Sequence, residues 1–413
     1  MCKNSATFEQ VLVQFRATQS ESKQLWSFWV YVKREDVVKA RPTTHALIVA
    51  LMVFVAACGG DDSTTTTAAA PDTTAAGSGA TETTMTESSD PEDPGSEQQV
   101  AGTSGDECTW ETYADGVEQI DLATATVGFA QSEREANPFR IAETQSIRDE
   151  AAARGISNLI VTNAESDLNK EISDIQSMVD QGADVLIISP LNSEGLDPAL
   201  DYAKENGVPI MTIDRLLTTK TACEDYIGWV GSDFVEQGRR AADAMVRETG
   251  GEAKLAILLG APGVNVTTDR NDGFLERLDE LDHNIEIVAQ QAANYERAMG
   301  QTVTEQLIAN NPDIDAIYAH NDEMALGAVA ALQAAGYEPG AVKIITIDGT
   351  QGAVQGIIDG WVSGVIESNP RFGPLAFQAL EDFYSGDGVP AVTIISDKEY
   401  TTDNAEAELE NAY

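Results

Sequence analysis

Two acidic residues follow short apolar runs in a way that suits hydrogen bonding to a small polar ligand. Residues 208–215 read Val-Pro-Ile-Met-Thr-Ile-Asp-Arg, and residues 343–349 read Lys-Ile-Ile-Thr-Ile-Asp-Gly. Each apolar run is typical of a buried parallel strand. Because open α/β sheets bind ligands outside the carboxyl ends of their strands, we expect Asp214, Arg215 and Asp348 to face a binding crevice.

Strand and helix patterns alternate around these two runs. From residue 126, β-branched runs alternate with helical stripes that end at glycines, and the alternation restarts at residue 227. Such alternation builds parallel sheets with right-handed crossovers, so we predict an α/β fold with two Rossmann-like lobes. A helix–strand–helix tail recrosses between them and makes a multi-strand hinge. The predicted N-terminal lobe takes residues 108–231 and 368–397, and the C-terminal lobe takes 232–367 and 398–413.

Composition excludes several kinds of partner. The 413 residues carry a formal net charge of -43, which argues against nucleic acid and against anionic lipid. A hydrophobic content of 42% is enough for the cores of two domains. With three His and four Cys, and neither a CxxC nor an HExxH motif, we expect no metal and no cofactor.

Residues 1–57 are interpreted as a leader. An apolar stretch at 45–57 follows Lys39 and Arg41 and ends in Val-Ala-Ala-Cys-Gly. It resembles the bacterial lipoprotein box, in which the cysteine, here Cys58, is lipidated. The alternative is a short buried helix with an incidental cysteine. Residues 1–36 do not suit a signal peptide, and we expect the true start near residue 37 or 38.

Residues 58–107 are predicted to be a disordered acidic linker. They are mostly Thr, Ala, Ser, Asp, Glu, Pro and Gly, and so have little apolar surface to bury. A lipid anchor and few thiols indicate an oxidising, extracytoplasmic setting on the outer face of the cell membrane. A disulfide between Cys108 and Cys223 is then expected, and two unpaired thiols are the alternative.

Six short motifs occur in the order and spacing of a known family. Residues 124–413 resemble the periplasmic sugar-binding proteins of bacterial ABC importers, the ribose-binding-like type I group, and among these most of all the galactofuranose-binding proteins. The motifs are Val-Gly-Phe-Ala-Gln (127–131), Asn-Pro-Phe-Arg (137–140), Ile-Asp-Arg (213–215), Thr-Asp-Arg (268–270), Ala-His-Asn-Asp-Glu-Met (319–324) and Ile-Asp-Gly (347–349).

The resemblance implies a set of sugar-binding residues. Phe139 would stack on the sugar ring and Arg140 would bond a hydroxyl, with Tyr295 as a second aromatic from the other lobe. Carboxylates, guanidinium groups and amides suit adjacent sugar hydroxyls because they hydrogen-bond in planar pairs. The remaining candidates are Asp214, Arg215, Arg270, Asn321, Asp348, Glu367, Gln131, Glu133 and Asn137.

Some of these residues have plainer interpretations. Phe139 would also suit a core position, Arg270 an ordinary salt bridge, and Asn137 the N-cap of the first helix. His320 is expected to be structural. The loop at 132–136 departs from the family by carrying Glu133 and its charged neighbours, which leaves the sugar open.

The resemblance implies non-covalent capture of a monosaccharide by closing lobes, followed by docking of a monomer on a permease driven by an ATPase. Alternatives are a sensor that feeds a signalling receptor, and another pentose, hexose or polyol as cargo. A transcription repressor is disfavoured, because an acidic linker stands where a basic DNA-binding segment is needed. An enzyme with Asp214 and Asp348 as an acid/base pair is also disfavoured, since no nucleophile motif such as GxSxG is present.

Overall fold

The computed structural model describes residues 100–413. The predicted leader, Cys58 and most of the predicted linker therefore lie outside the described residues. Within this range, no helix is both long enough and apolar enough to cross a membrane.

Strands and helices alternate through most of the described chain. The strands are β1 (Val100–Cys108), β2 (Thr126–Gln131), β3 (Asn158–Asn163), β4 (Val185–Ser189), β5 (Ile210–Ile213), β6 (Trp229–Gly231), β7 (Glu252–Leu259), β8 (Asn284–Ala292), β9 (Ala316–Ala319), β10 (Lys343–Asp348), β11 (Gly364–Glu367), β12 (Val389–Ile395) and β13 (Glu399–Tyr400). The helices are α1 (Pro138–Ala153), α2 (Leu168–Asp180), α3 (Asp197–Glu205), α4 (Phe234–Thr249), α5 (Asn265–Glu280), α6 (Arg297–Asn310), α7 (Asp322–Ala334), α8 (Gln351–Ile358), α9 (Gly373–Ser385) and α10 (Ala405–Glu408).

The strands divide between two sheets, which confirms the predicted two-lobed α/β fold. The sheet of the N-terminal lobe has the order β1-β12-β6-β5-β4-β2-β3, and that of the C-terminal lobe has the order β13-β11-β10-β9-β7-β8. In each sheet the neighbouring strands are parallel except at one edge, where β1 and β13 pair antiparallel. The central strands are buried on both faces by helices, as their continuous apolar sequences require.

The chain crosses between the two sheets three times, after β6, after β11 and after β12. Asp397 lies in the third crossing and joins all three. Its Oδ1 accepts hydrogen bonds from Ser232 Oγ at 3.2 Å and from the backbone N of Asn369 at 3.3 Å. These contacts define the hinge.

Residues 100–107 differ from the expectation of a disordered linker. They form most of β1, an edge strand whose backbone pairs with β12 while its side chains stay exposed. The composition rule failed here because strand pairing uses backbone groups and needs no apolar side chains. Cys108, which ends this strand, is fully buried and forms a disulfide with Cys223, with the two Cα atoms 5.2 Å apart.

Candidate ligand-binding site

A cavity lies between the two lobes, with about 390 Å³ of space not filled by protein atoms, part of it open to solvent. The carboxyl ends of parallel strands from both sheets meet at this place, where open α/β folds bind ligands. Its lining is dominated by charged and aromatic side chains. It consists of Glu133, Asn137, Phe139, Arg140, Asp214, Arg215, Phe234, Val266, Arg270, Tyr295, Asn321, Asp348 and Ser368.

The first turn of α1 positions two of the predicted residues. The side-chain oxygen of Asn137 accepts a hydrogen bond from the backbone N of Phe139 at 3.0 Å, so Asn137 is the N-cap of this helix as well as a lining residue. Pro138 occupies the first helical position, where its missing N–H costs nothing. Phe139 and Arg140 are thereby held at the cavity. The ring of Phe139 also packs on Phe372, with 6.4 Å between ring centroids.

Arg140 is the centre of a buried charge cluster. One terminal nitrogen, Nη1, lies 2.7 Å from Asp214 Oδ2 and 2.8 Å from Glu143 Oε2, and Nε lies 2.8 Å from Glu133 Oε2. Burial would lower the pKa of Arg140, but the charges of these three carboxylates outweigh it and raise the pKa. Arg140 is therefore a permanent cation, and Asp214 has its orientation set by a charge-assisted bond.

Asp214 and Arg215 directly follow β5, and both line the cavity. Asp214 has a φ of 63°, a left-handed conformation that is unusual outside glycine and turns its carboxylate into the cluster. Arg215 donates to the backbone oxygen of Leu191 at 2.6 Å and to Glu133 Oε1 at 3.1 Å. Its Nε is buried and has no hydrogen-bond partner among the described residues. This nitrogen lies 3.9 Å from Asp214 Oδ2.

Glu133 bridges the two arginines from the loop after β2, so the charged loop that departs from the family pattern reaches the cavity. Burial would raise the pKa of Glu133, yet the charges of Arg215 and Arg140 outweigh it and lower the pKa to about 2. The carboxylate is ionised under all ordinary conditions. Its side chain is 26% exposed, so it remains within reach of a ligand.

On the C-terminal side, Arg270 and Asp348 face each other with 3.6 Å between Nη2 and Oδ1. Arg270 lies in the second turn of α5. Its Nη1 donates to the backbone oxygen of His320 at 2.5 Å. Burial raises the pKa of Asp348, and Arg270 offsets part of that rise. Asp348 ends β10 with a φ of 142°, a second strained acidic residue at a strand end.

Asn321 and Tyr295 complete this side of the cavity. The Oδ1 of Asn321 accepts from the backbone N of Met324 at 3.0 Å and so caps α7. The hydroxyl of Tyr295 lies 2.8 Å from that of Thr267. The ring of Tyr295 fits because residue 260 is glycine, since a Cβ there would lie 2.0 Å from it.

Two predicted residues lie outside the lining. Gln131 is buried behind it, where its amide donates to Glu143 and Thr144 at 2.8 and 3.1 Å. The carboxylate of Glu367 accepts hydrogen bonds from the backbone N of Lys398 at 2.8 Å and from the hydroxyl of Tyr400 at 3.0 Å. Both side chains support the site or the hinge, and their hydrogen-bonding capacity is used there.

Three lining residues were missed by sequence reasoning: Phe234, Val266 and Ser368. Phe234 starts α4, directly after the first hinge crossing, and its ring lies 5.6 Å from the guanidinium carbon of Arg270. An aromatic residue at the start of a helix was the signal that could have found it. Val266 and Ser368 carry no comparable signal. Among residues 100–413, no group of His, Cys, Asp or Glu side chains is arranged to hold a metal ion.

The fold and this interlobe site define the class of protein. Residues 127–386 match the model of the periplasmic binding protein domain, and the chain belongs to that family. The family implies an extracytoplasmic location and a role as the sugar-binding component of an ABC importer.

Several of the similar proteins are named for sugars or were solved with one bound. The ribose import binding protein RbsB of Bacillus subtilis is 36% identical over 60% of this chain and 79% of its own length. The galactofuranose-binding protein YtfQ of Escherichia coli is 33% identical over 70% of this chain and 91% of its own. A Mycobacterium smegmatis structure in complex with β-D-fucofuranose has a TM-score of 0.66 and 34% identity, covering 70% of this chain and 95% of that one.

Proposed function

We propose that this protein is an extracytoplasmic lipoprotein that captures a neutral monosaccharide in furanose form, with galactofuranose as the first candidate. It delivers the sugar to the permease of an ABC importer. The residues proposed to bind the sugar are Phe139, Arg140, Asp214, Arg215, Arg270, Asn321, Asp348, Tyr295 and Asn137, together with Glu133.

Charge balance in the cavity is the observation that carries the proposal. Three guanidinium groups line it, from Arg140, Arg215 and Arg270, and three acidic side chains line it, from Glu133, Asp214 and Asp348, although burial raises the pKa of Asp348. An anionic ligand would meet the carboxylates and a cationic ligand the guanidinium groups, so each would bury a repelled charge. A neutral polyol accepts from the first set and donates to the second. It therefore satisfies both without adding charge.

Aromatic rings supply the apolar contacts that a sugar also needs. Phe139 comes from the N-terminal lobe, and Phe234 and Tyr295 come from the C-terminal lobe. Their faces suit the C–H groups of a sugar ring. The preference for a furanose rests on a relative named for galactofuranose and on a similar structure in complex with β-D-fucofuranose.

Capture is proposed to proceed by rotation of the lobes about the hinge at Asp397. Sugar first bonds one lobe, and closure then completes the bonds from the other lobe and excludes water. The proposed lobes are residues 108–231 with 368–397, and 232–367 with 398–413. The closed monomer would dock on the permease while lipid on Cys58 holds it to the membrane, with residues from 59 onward as the tether.

Titration calorimetry on the full chain, purified in mild detergent, tests the cargo. Galactofuranose, galactopyranose, ribose, arabinose and xylose are titrated separately. We expect saturable binding that is strongest for galactofuranose and is lost in Asp214→Ala and Arg270→Ala. Loss is expected because each change leaves a buried charge without its partner and removes a sugar contact.

The matched controls for these variants are Asp149→Ala and Arg148→Ala, which alter exposed residues of α1. Both should bind like the parent protein. If none of the five sugars gives heat of binding, the monosaccharide assignment is refuted. If Asp214→Ala binds as tightly as the parent protein, the proposed site is refuted.

The anchor is tested separately by metabolic labelling with an alkyne fatty acid. The parent chain should be labelled and sediment with membranes, whereas Cys58→Ser should not be labelled. Labelling of the Cys58→Ser chain would contradict the proposed lipidation.

A further inference from the structure

The backbone of residues 411–413 bonds to the C-terminal lobe, whereas one side chain of this segment packs on the N-terminal lobe. Tyr413 N donates to the backbone oxygen of Gly349 at 3.3 Å, and its own oxygen accepts from Gln351 N at 2.8 Å. Ala412 is part of the C-terminal core. The ring of Tyr413, however, packs against the core of the N-terminal lobe. This segment lies beyond residues 127–386, which the family model matches.

The ring of Tyr413 touches the aromatic residue proposed to stack on the sugar. Its centroid lies 6.1 Å from that of Phe139, with the ring planes at 81°, an edge-to-face arrangement. Phe139 is held from its own lobe by Phe372. Tyr413 therefore contacts Phe139 from the opposite lobe.

Arg371 makes a second set of contacts across the lobes. It precedes α9, which packs on the N-terminal lobe through Phe372 and through a 2.9 Å bond from Gly373 N to Ser146 Oγ. Its guanidinium donates to the backbone oxygens of Asn411 at 3.1 Å and Ala412 at 3.4 Å. The same group lies 6.0 Å from the ring centroid of Tyr413.

We propose that Arg371 and residues 411–413 form a latch that holds the two lobes closed and positions Phe139 against the bound ligand. Opening the lobes would withdraw the Tyr413 ring from Phe139 or break both carbonyl bonds to Arg371. The latch contacts exist only when the lobes are closed. They therefore contribute to the closed state alone and slow release of the ligand.

The proposed role of Tyr413 in the latch does not depend on its hydroxyl group. It is buried with no hydrogen-bond partner among the described residues. Burial raises the pKa of Tyr413, and the charges of Asp348 and Asp322 raise it further, so the phenol stays neutral. Tyr413→Phe keeps the ring and should keep the latch, which makes it the rescuing variant for Tyr413→Ala.

Single-molecule energy transfer on the full chain tests the latch without relying on the identity of the sugar. Dyes are attached through unnatural amino acids at Asp149 of α1 and Gln306 of α6, which are exposed residues of different lobes. We expect Tyr413→Ala and Arg371→Met each to lower the closed-to-open ratio by about tenfold. Tyr413→Phe should stay near the parent ratio.

Tyr337→Ala is the matched control. Tyr337 is half-buried and packs against the same C-terminal core, but it has no contact with the other lobe among the described residues. Its removal should leave the closed-to-open ratio unchanged. The melting temperature of each variant without ligand checks that the chain still folds.

Galactofuranose is then added to each variant. The concentration for half closure should rise about tenfold in Tyr413→Ala and Arg371→Met, mainly through faster release. The latch rests on the proposed function only in this second arm. If no sugar closes the parent protein, the monosaccharide assignment fails. The closed-to-open ratio measured without sugar still tests the latch in that case. Three results would overturn the latch. They are an unchanged closed-to-open ratio in both variants, an equal fall of that ratio in Tyr337→Ala, and a parent protein that never closes.

Discussion

Gln237 accepts a hydrogen bond from the Nε of Arg270, with 2.9 Å between the two atoms. The amide nitrogen of the same side chain donates to Asp397 Oδ2 at 2.7 Å. One buried glutamine thus joins a guanidinium of the cavity to the carboxylate that ties the hinge crossings together. Neither aspartate nor leucine would serve both partners, because the position needs an acceptor on one side and a donor on the other.

Gln237→Leu should weaken sugar binding. It leaves the Nε of Arg270 and an oxygen of Asp397 buried without these partners, and a hydrogen bond to a charged group contributes about 1.5–3 kcal/mol. The expected loss of affinity is about ten- to a hundredfold by calorimetry. Gln378→Leu is the control, because the exposed Gln378 bonds Asp382 on its own helix. Parent-like affinity in Gln237→Leu would show that Arg270 needs no such support.

Arg140→Met should destabilise the folded protein as well as abolish binding. Asp214 and Glu143 would remain buried beside a neutral side chain, and removing one partner of a buried ion pair costs about 3–5 kcal/mol. Urea unfolding followed by circular dichroism measures this loss. Arg148→Met, at an exposed position of the same helix, should unfold like the parent. A small loss in Arg140→Met would mean that water reaches the cluster.

Asp397 makes stability depend on pH. Burial raises the pKa of Asp397 to about 7, well above its value of about 3.9 in an unfolded chain. The folded state therefore binds this proton more tightly, and the stability that the proton confers falls as pH rises from about 4 to 7.

Replacing the carboxyl by an amide, as in Asp397→Asn, should remove this contribution. We expect the difference in unfolding free energy between pH 5 and pH 7.5 to shift towards higher relative stability at pH 7.5 in Asp397→Asn. Urea titrations at the two pH values measure it. Asp387→Asn, at an exposed position, should reproduce the pH dependence of the parent. An identical pH dependence in Asp397→Asn would place the pKa of Asp397 below this range.

Reduction of the Cys108–Cys223 disulfide should lower stability without weakening sugar binding. The two cysteines are 115 residues apart in sequence, and the chain-entropy model gives about 4–5 kcal/mol for a loop of that size. Thermal unfolding with and without dithiothreitol measures the change. The double variant Cys108→Ser, Cys223→Ser should be equally unstable under both conditions. A parent that melts alike with and without reductant would contradict the prediction.

The sequence was most informative about candidate residues at the ends of strands. Asp214, Arg215 and Asp348 were predicted from apolar runs that end in charge, and the fold places all three at the cavity. Phe139 and Arg140 were candidates because their motif resembles that of the sugar-binding family, and both line the cavity. These predictions depend on local order along the chain, which a sequence displays directly.

Other residues depended on distant partners. Glu367 does end a strand at the hinge, but Tyr400 of the neighbouring edge strand takes its carboxylate. Gln237 lies inside an amphipathic helix, and its role comes from the packing of three separate crossings around Asp397. Tyr413 meets Phe139 from 274 positions away in the numbering. No spacing rule within one element reveals such contacts.

The pairing of β1 with β12 has a mechanical consequence. β1 begins the described residues and joins the sheet of the N-terminal lobe, so a pull on Val100 acts on that lobe first. A pull from that side runs along the β1–β12 ladder in shear, loading many hydrogen bonds at once. The covalent link at Cys108 then carries the load to the loop at Cys223. The edge of the sheet bears the tension, and the cleft keeps its shape while the chain is under load.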